Sequence, residues 1–298
     1  MSFTGDVKKE LAENFIMSDN CLKAYTYGFL LFGKSFSSRS ICCSSDYECV
    51  INSFADSIRE TTGVIVHVSR LKSGKYTLRV ATSADRKRII EFFDHSVNDI
   101  TLRINHGIFE DEECYGAFLK GVFLSCGTVS NPDKNYHLEF VAPHMKLSQD
   151  LIKILNNLDI NAKYILRKYS NVVYLKDSEN IEDILTMMGA VNSSIHIMGV
   201  KIQKDVRNKI NRRMNFESAN MSRSIEAGLN QVNAIRLIEK KQGLNSLPAE
   251  LKELAVLRLE NPDMSLKELG ESLSNPISRS GVNHRFEKII SIAEKYKK

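Results

Sequence analysis

The stretch Glu112–Asn131, EECYGAFLKGVFLSCGTVSN, decides the fold. Laid out at 3.6 residues per turn it is apolar on nearly all sides, with Phe118, Leu119, Val122, Phe123 and Leu124 leaving no wide polar face. Such a helix is buried. Gly116, Gly121 and Gly127 punctuate it, although glycine inside a helix costs about 1 kcal/mol relative to alanine. Glycine there marks the close approach of another backbone. Ala24–Lys34, AYTYGFLLFGK, has the same character, an aromatic and leucine run with Gly28 and Gly33. Two buried, glycine-bearing helices of one type predict a pair packed against each other at the centre of a duplicated domain.

The duplication extends further. Tyr76–Phe93 lays over Asn171–Met188 without a gap, each reading as an alternating strand, a serine in a turn or N-cap position (Ser83, Ser178) and an amphipathic helix. Leu78 then meets Val173, Val80 meets Leu175, and Ile89-Ile90 meet Ile184-Leu185. The offset is 95 residues here and 93 between Gly28 and Gly121. Two segments at nearly one offset indicate a pseudo-dimer; a solenoid would have a shorter period and more copies.

At 298 residues the chain is long enough for two or three domains, and 43% hydrophobic with 26% charged residues is ordinary for a globular protein. The longest uncharged run, Ile184–Val200, contains Asn192, Ser193, Ser194 and His196 and is too polar to span a bilayer. The N-terminus shows Lys8, Lys9 and Glu10 without an apolar core, so no signal peptide is expected. The six cysteines (21, 42, 43, 49, 114 and 126) follow no metal-ligand spacing. No metal or other cofactor is expected, and the expected compartment is the cytoplasm. The net charge of +5 is unevenly divided. Residues 195–298 hold 19 Lys and Arg against 12 Asp and Glu, a net of +7, while the first 194 residues carry −2. Such an excess fits either a solvated helical surface or the footprint of a polyanion partner.

In chain order, Ser2–Asn14 reads as a short amphipathic helix (Val7, Leu11) docked on the domain next to it in the chain. Each half of that domain reads α-β-β-α-β-β-α with one weak β element, and Ile100–Ile108 connects the halves in extended form. The first half has a Ser/Cys-rich strand at 39–45, a helix at 47–61, a hairpin (64–71 and 75–82) turning at Ser73-Gly74, and a helix at 84–96. The second has strands at 135–142, 162–168 and 171–176 and helices at 147–158 and 181–188. The expected divisions are an N-terminal helix (1–20), two repeated halves (21–110 and 111–200), a basic helical linker (201–242) and a C-terminal domain (243–298). The linker is rich in asparagine and is expected to break near Asn215–Asn220.

The last fifty residues carry the most specific pattern. A helix over 248–259 ends at Asn261-Pro262-Asp263, and Ser265 caps a second one with Leu266, Leu269 and Leu273 inward and Gly270 at a helix crossing. After Ser274-Asn275-Pro276 a third begins at Ser278 or Ser280, with Val282, Phe286, Ile289 and Ile290 inward. This is a helix-turn-helix pattern. Arg279, Ser280, Asn283 and His284 occupy the first two turns of its last helix, where arginine suits guanine and asparagine suits adenine. Arg207, Arg212, Arg213, Arg285 and Lys288 are the candidates for phosphate contact.

These segments resemble the WhiA family of sporulation and cell-division regulators. The likeness is carried by Ser2-Phe3-Thr4 with Val7-Lys8, FLKGVFLSCGTVSNPDKNYHLEF (118–140), KDVRNKINRRMNFESANMSRSI (204–225), SLKELGESL (265–273) and ISRSGVNHRFEKI (277–289). It implies an α+β fold, with a duplicated domain similar to LAGLIDADG homing endonucleases joined to a helix-turn-helix. It also implies a nucleoid-associated, DNA-binding transcriptional regulator linked to cell division, chromosome segregation and, in spore formers, sporulation. Double-stranded DNA is the expected partner, with a transcription-machinery or regulatory protein as a second.

In that superfamily an acidic residue at the eighth motif position of each central helix holds the catalytic metals. Aligned on Gly121 that position is Cys126, before Gly127; aligned on Gly28 it is Gly33. Neither replaces a carboxylate for a hard divalent cation, and the acids Glu110–Glu113 lie at the other end of the helix. A fold kept with its chemistry lost is the expectation, so neither an enzyme nor a small-molecule substrate is expected. The rival readings are an active endonuclease and an RNA-binding or protein-scaffolding module.

Overall fold

The computed structural model describes residues 2–13, 18–96 and 101–296. The chain divides into two units, Met1–Lys204 and Asp205–Lys298. The first unit opens with α1 (Phe3–Glu13), which buries Val7 and Leu11 as expected; Asn14 lies outside the described residues. The first half then runs α2 (Asp19–Leu31), β1 (Ser35–Phe36), β2 (Ile41–Ser45), α3 (Glu48–Thr62), β3 (His67–Arg70), β4 (Tyr76–Arg79) and α4 (Ser83–Phe92). The second half repeats the order as α5 (Glu113–Cys126), β5 (Gly127–Val129), β6 (Leu138–Ala142), α6 (Met145–Asn157), β7 (Lys163–Arg167), β8 (Ser170–Leu175) and α7 (Ser178–Met188).

The strand orders β1-β2-β4-β3 and β5-β6-β8-β7 are equivalent, and every pairing is antiparallel. The weak strand of each half is the short one after the central helix. In the second half it replaces the last turn expected of 112–131: α5 stops at Cys126, where Gly127 turns to extended backbone and begins β5. The overlaid positions agree in burial, since Leu78, Val173, Ile89, Ile184 and Leu185 are all sealed from solvent.

At the centre α2 packs along α5. A Cβ on Gly28 would collide with the Phe118 carbonyl, and one on Gly121 with the Tyr25 carbonyl. Each glycine therefore marks the point where the other helix's backbone comes closest, which is the predicted pair. The helix caps differ from expectation in the same way in both halves. Thr82 and Asp177, each one residue before the expected serine, accept the amide hydrogen bonds that start α4 and α7. The linker between halves is extended except for a 3-10 turn at His106–Ile108, and Ile100 lies outside the described residues. Arg103 pins it to α6 through Nε, 2.6 Å from the Asp150 carboxylate.

The largest correction concerns 201–242. Residues Val191–Gln242 form one helix, α8, with no break near Asn215–Asn220. Asparagine costs a helix only about 0.7 kcal/mol, whereas proline costs about 3 kcal/mol, and α8 contains no proline. Nor is the segment separate from the cores: the boundary between the units falls inside α8, Ile197 belongs to the first core, and Ala234, Ile235 and Ile238 to the second. After α8 and a 3-10 turn (Leu244–Ser246), the second unit holds α9 (Ala249–Glu260), α10 (Leu266–Glu271) and α11 (Arg279–Glu294). No helix among the described residues is long and apolar enough to cross a membrane.

Candidate nucleic-acid interface

The geometry of α10 and α11 comes from local chemistry. Ser265 Oγ accepts from Glu268 N (3.3 Å) while Glu268 Oε2 accepts from Ser265 N (2.7 Å), a reciprocal cap that starts α10. The Ser265 amide, and after it the Ser265 side chain, hold the Glu268 carboxyl below its usual range. Of the two expected starts, Ser278 rather than Ser280 caps α11, accepting from Gly281 N at 3.3 Å. Ile277 N returns to Gly270 O at 3.1 Å. A Cβ on Gly270 would strike the Ile277 carbonyl and lie 2.9 Å from Val282 Cγ2, so glycine lets the two helices touch. Leu269, Leu273, Val282, Phe286 and Ile289 are buried, and Leu266 and Ile290 pack partly buried against them.

With that side inward, Arg279, Ser280, Asn283, His284 and Lys288 are exposed. The expected reading face is therefore formed by one stretch of helix, and it includes a residue that the sequence did not single out. Glu287 Oε1 accepts from Asn283 Nδ2 at 2.9 Å, and its Oε2 lies 3.6 Å from His284 Nδ1. The i+3 and i+4 spacing was the available signal. Arg285 differs from the other phosphate candidates: it is drawn toward α9, where Glu250 lies 3.1 Å away. Arg207 and Arg212 are exposed on α8, and Arg213 is paired there with Glu217 at 2.9 Å.

Arg258 is a second residue that sequence alone did not reveal. It is buried in the helix-turn-helix core, donates through Nη1 to Pro262 O (3.2 Å) and Met264 O (2.6 Å), and lies 5.3 Å over the Phe286 ring. It fastens the α9–α10 turn to the last helix. Local sequence carries no sign of this, because the partners meet only in the fold.

At the end of the central pair, Gly33 and Cys126 stand where the resemblance calls for carboxylates. A Cβ on Gly33 would lie 2.6 Å from Cys43 Sγ. Cys126 ends α5 with its thiol pushed up to about 12 by burial. The Lys8 ammonium from α1 comes in beside Cys126, donating to Leu124 O at 3.2 Å, with its pKa drawn down to about 8 by burial. Glycine offers no ligand, a buried thiol is a poor match for a hard cation, and a lysine repels one. The residues present do not fit the metals of an endonuclease. On the second sheet, Glu139 of β6 pairs with Arg167 of β7 at 2.9 Å and lies 3.1 Å from His137 Nε2.

Comparison with known proteins agrees with this architecture. Residues 115–207 match the model of the WhiA LAGLIDADG-like domain, and residues 210–293 match that of the WhiA C-terminal HTH domain. A relative from Clostridium beijerinckii named "Probable cell division protein WhiA" is 44% identical over 198 residues, 66% of this chain and 63% of its own. The chain thus spans somewhat less than two thirds of that relative. One of the same name from Alkaliphilus metalliredigens is 41% identical over 234 residues, 76% of this chain and 74% of its own. The crystal structure of full-length WhiA from Thermotoga maritima has the same fold, with a TM-score of 0.62, 24% identity and 99% coverage of both chains. The two matched domains and the relative covered over 74% of its length place this chain in the WhiA family.

Proposed function

We propose that this protein is a sequence-specific, duplex-DNA-binding transcriptional regulator acting in cell division, chromosome segregation and sporulation, with a catalytically inactive endonuclease-like domain. One observation carries the reading. The first two turns of α11 present Arg279, Ser280, Asn283 and His284 to solvent, while Gly270 and the capped turn hold that helix against α10. In a helix-turn-helix this is the part that enters the major groove. The relatives' name supports the division role. The corner filled by Gly33, Cys126 and Lys8 supports the loss of cleavage.

The test separates base reading from phosphate contact. Asn283→Ala costs roughly 1–3 kcal/mol on the preferred duplex and little on random DNA. Arg212→Ala weakens both alike and lowers the salt slope by about one unit. The preferred duplex comes from chromatin immunoprecipitation, and affinities from fluorescence anisotropy. If Asn283→Ala weakens specific and random duplexes equally, α11 is not reading bases. Tighter binding to a matched RNA than to the duplex would favour the RNA-binding alternative.

A further inference from the structure

We propose that Cys21, Asp111 and Cys114 form a zinc site that clamps the N-terminal ends of the two central helices together. The site lies at the opposite end of the pair from the lost catalytic corner, and it owes nothing to the DNA-binding reading.

The duplication places the cysteines. Cys21 and Cys114 are 93 residues apart, the offset that separates Gly28 from Gly121. Each therefore stands seven residues, about two turns, before the glycine at which its helix touches the other. Equivalent residues of a pseudo-dimer face each other across its axis, and the sulfur atoms do so here. The two Sγ atoms and an Asp111 carboxylate oxygen all lie within 4.8 Å of one another. Among the described residues no other three His, Cys, Asp or Glu side chains converge in this way.

The surroundings hold these groups in place. Asp111 Oδ1 accepts from Cys114 N at 2.9 Å, and Asn20 Nδ2 donates to Glu110 Oε2 at 2.7 Å, tying the start of α2 to the segment before α5. Both cysteines are buried, whereas Asp111 is exposed and leaves a side open for a water as fourth ligand. Zinc–sulfur bonds of about 2.3 Å in a tetrahedron require sulfur atoms about 3.8 Å apart, a contraction of at most about 1 Å from this arrangement. Two sulfurs and one carboxylate select zinc over magnesium or calcium. Binding moves one proton from each thiol to solvent, and the helix N-termini favour the thiolates that result.

The experiment uses the full-length protein, reduced, stripped with a chelator and titrated with cobalt(II) as a spectroscopic probe, then with zinc. One equivalent of cobalt raises a near-ultraviolet thiolate-to-cobalt band, which zinc abolishes by displacement. Cys21→Ser and Cys114→Ser each weaken the band, the double variant removes it, and Asp111→Asn lowers the affinity at least about tenfold. Cys42→Ser leaves it unchanged. Should the cysteine variants fail to fold, X-ray absorption of zinc bound to the wild-type protein decides: the metal has two sulfur neighbours at about 2.3 Å. A folded, reduced protein without the band overturns the proposal, as does a band that survives the double variant or bound zinc without two sulfur neighbours. Recovery of only a Cys21–Cys114 disulfide, with no metal uptake after reduction, also overturns it.

Discussion

The Arg285 guanidinium lies 3.1 Å from the Glu250 carboxylate, and only 18% of the arginine side chain reaches solvent. An acid on α9 thus partly neutralises a base on the recognition helix. Glu250→Gln releases that charge. Affinity for random duplex rises several-fold and the salt slope steepens by about one unit, while the preference for the specific site falls. Anisotropy titrations across a salt series check this, and an unchanged slope would assign Arg285 a purely structural role.

Two glycine-to-alanine changes have opposite signs. A Cβ on Gly121 would meet the Tyr25 carbonyl and lie 2.9 Å from Phe29 N, so Gly121→Ala destabilises the first unit by about 1–3 kcal/mol. Nothing lies within 4 Å of a Cβ on Gly199, so Gly199→Ala in α8 stabilises by up to about 1 kcal/mol. Urea unfolding followed by tyrosine fluorescence reports both, since nine of the ten tyrosines precede residue 205.

Lys120 lies within the central helix pair, 4% exposed and 5.4 Å over the Tyr25 ring, and burial draws its pKa down to about 8. Between that value and the unfolded value of about 10.4, the unfolded chain holds a proton that the folded chain lacks. Stability therefore rises with pH from about 8. Lys8 acts in the same direction. Buried Tyr25 and Tyr27, whose hydroxyls burial pushes up, work the other way above about pH 10. The buried Cys43 and Cys126 thiols, which burial pushes up, oppose this rise above about pH 8.5, so the lysine contribution is read as a difference: between pH 8 and 10 the urea midpoint of the wild type gains on that of Lys120→Met, and an unchanged difference would overturn it.

The expected outcome of incubating duplex DNA with the protein in Mg²⁺ or Mn²⁺ is no cleavage. Gly33 and Cys126 supply no carboxylates, and Lys8 holds positive charge at the corner where the metals of an endonuclease would sit. Chelator-sensitive cleavage by purified protein, surviving substitution of Glu110–Glu113, would overturn this account.

Much of the helix-turn-helix was legible because its signals are local. Ser265 with Glu268 three residues on, Ser278 before an apolar stripe, and Gly270 at a crossing each act within a few residues of themselves. The duplicated half was legible for a different reason. Its two copies share an offset, and burial repeats with it from Leu78 to Val173. Where competing signals were close in energy the pattern misled. Thr82 outcompeted Ser83 as a cap, and the asparagines of α8 cost too little to break it.

By itself the sequence determined the paired central helices, the repeated αββαββα order, the absence of a carboxylate pair at Gly33 and Cys126, and the polar start of α11. All of these depend on residue type and on spacings within one turn, one strand or one repeat. Only the tertiary structure decided that Lys8 reaches the end of α5 beside Cys126, that Arg285 turns toward Glu250, that Arg258 braces Phe286, and that Cys21 meets Asp111 and Cys114. Each of these joins side chains from separate elements. Which elements meet is set by how whole apolar faces pack, so no local pattern records the contact.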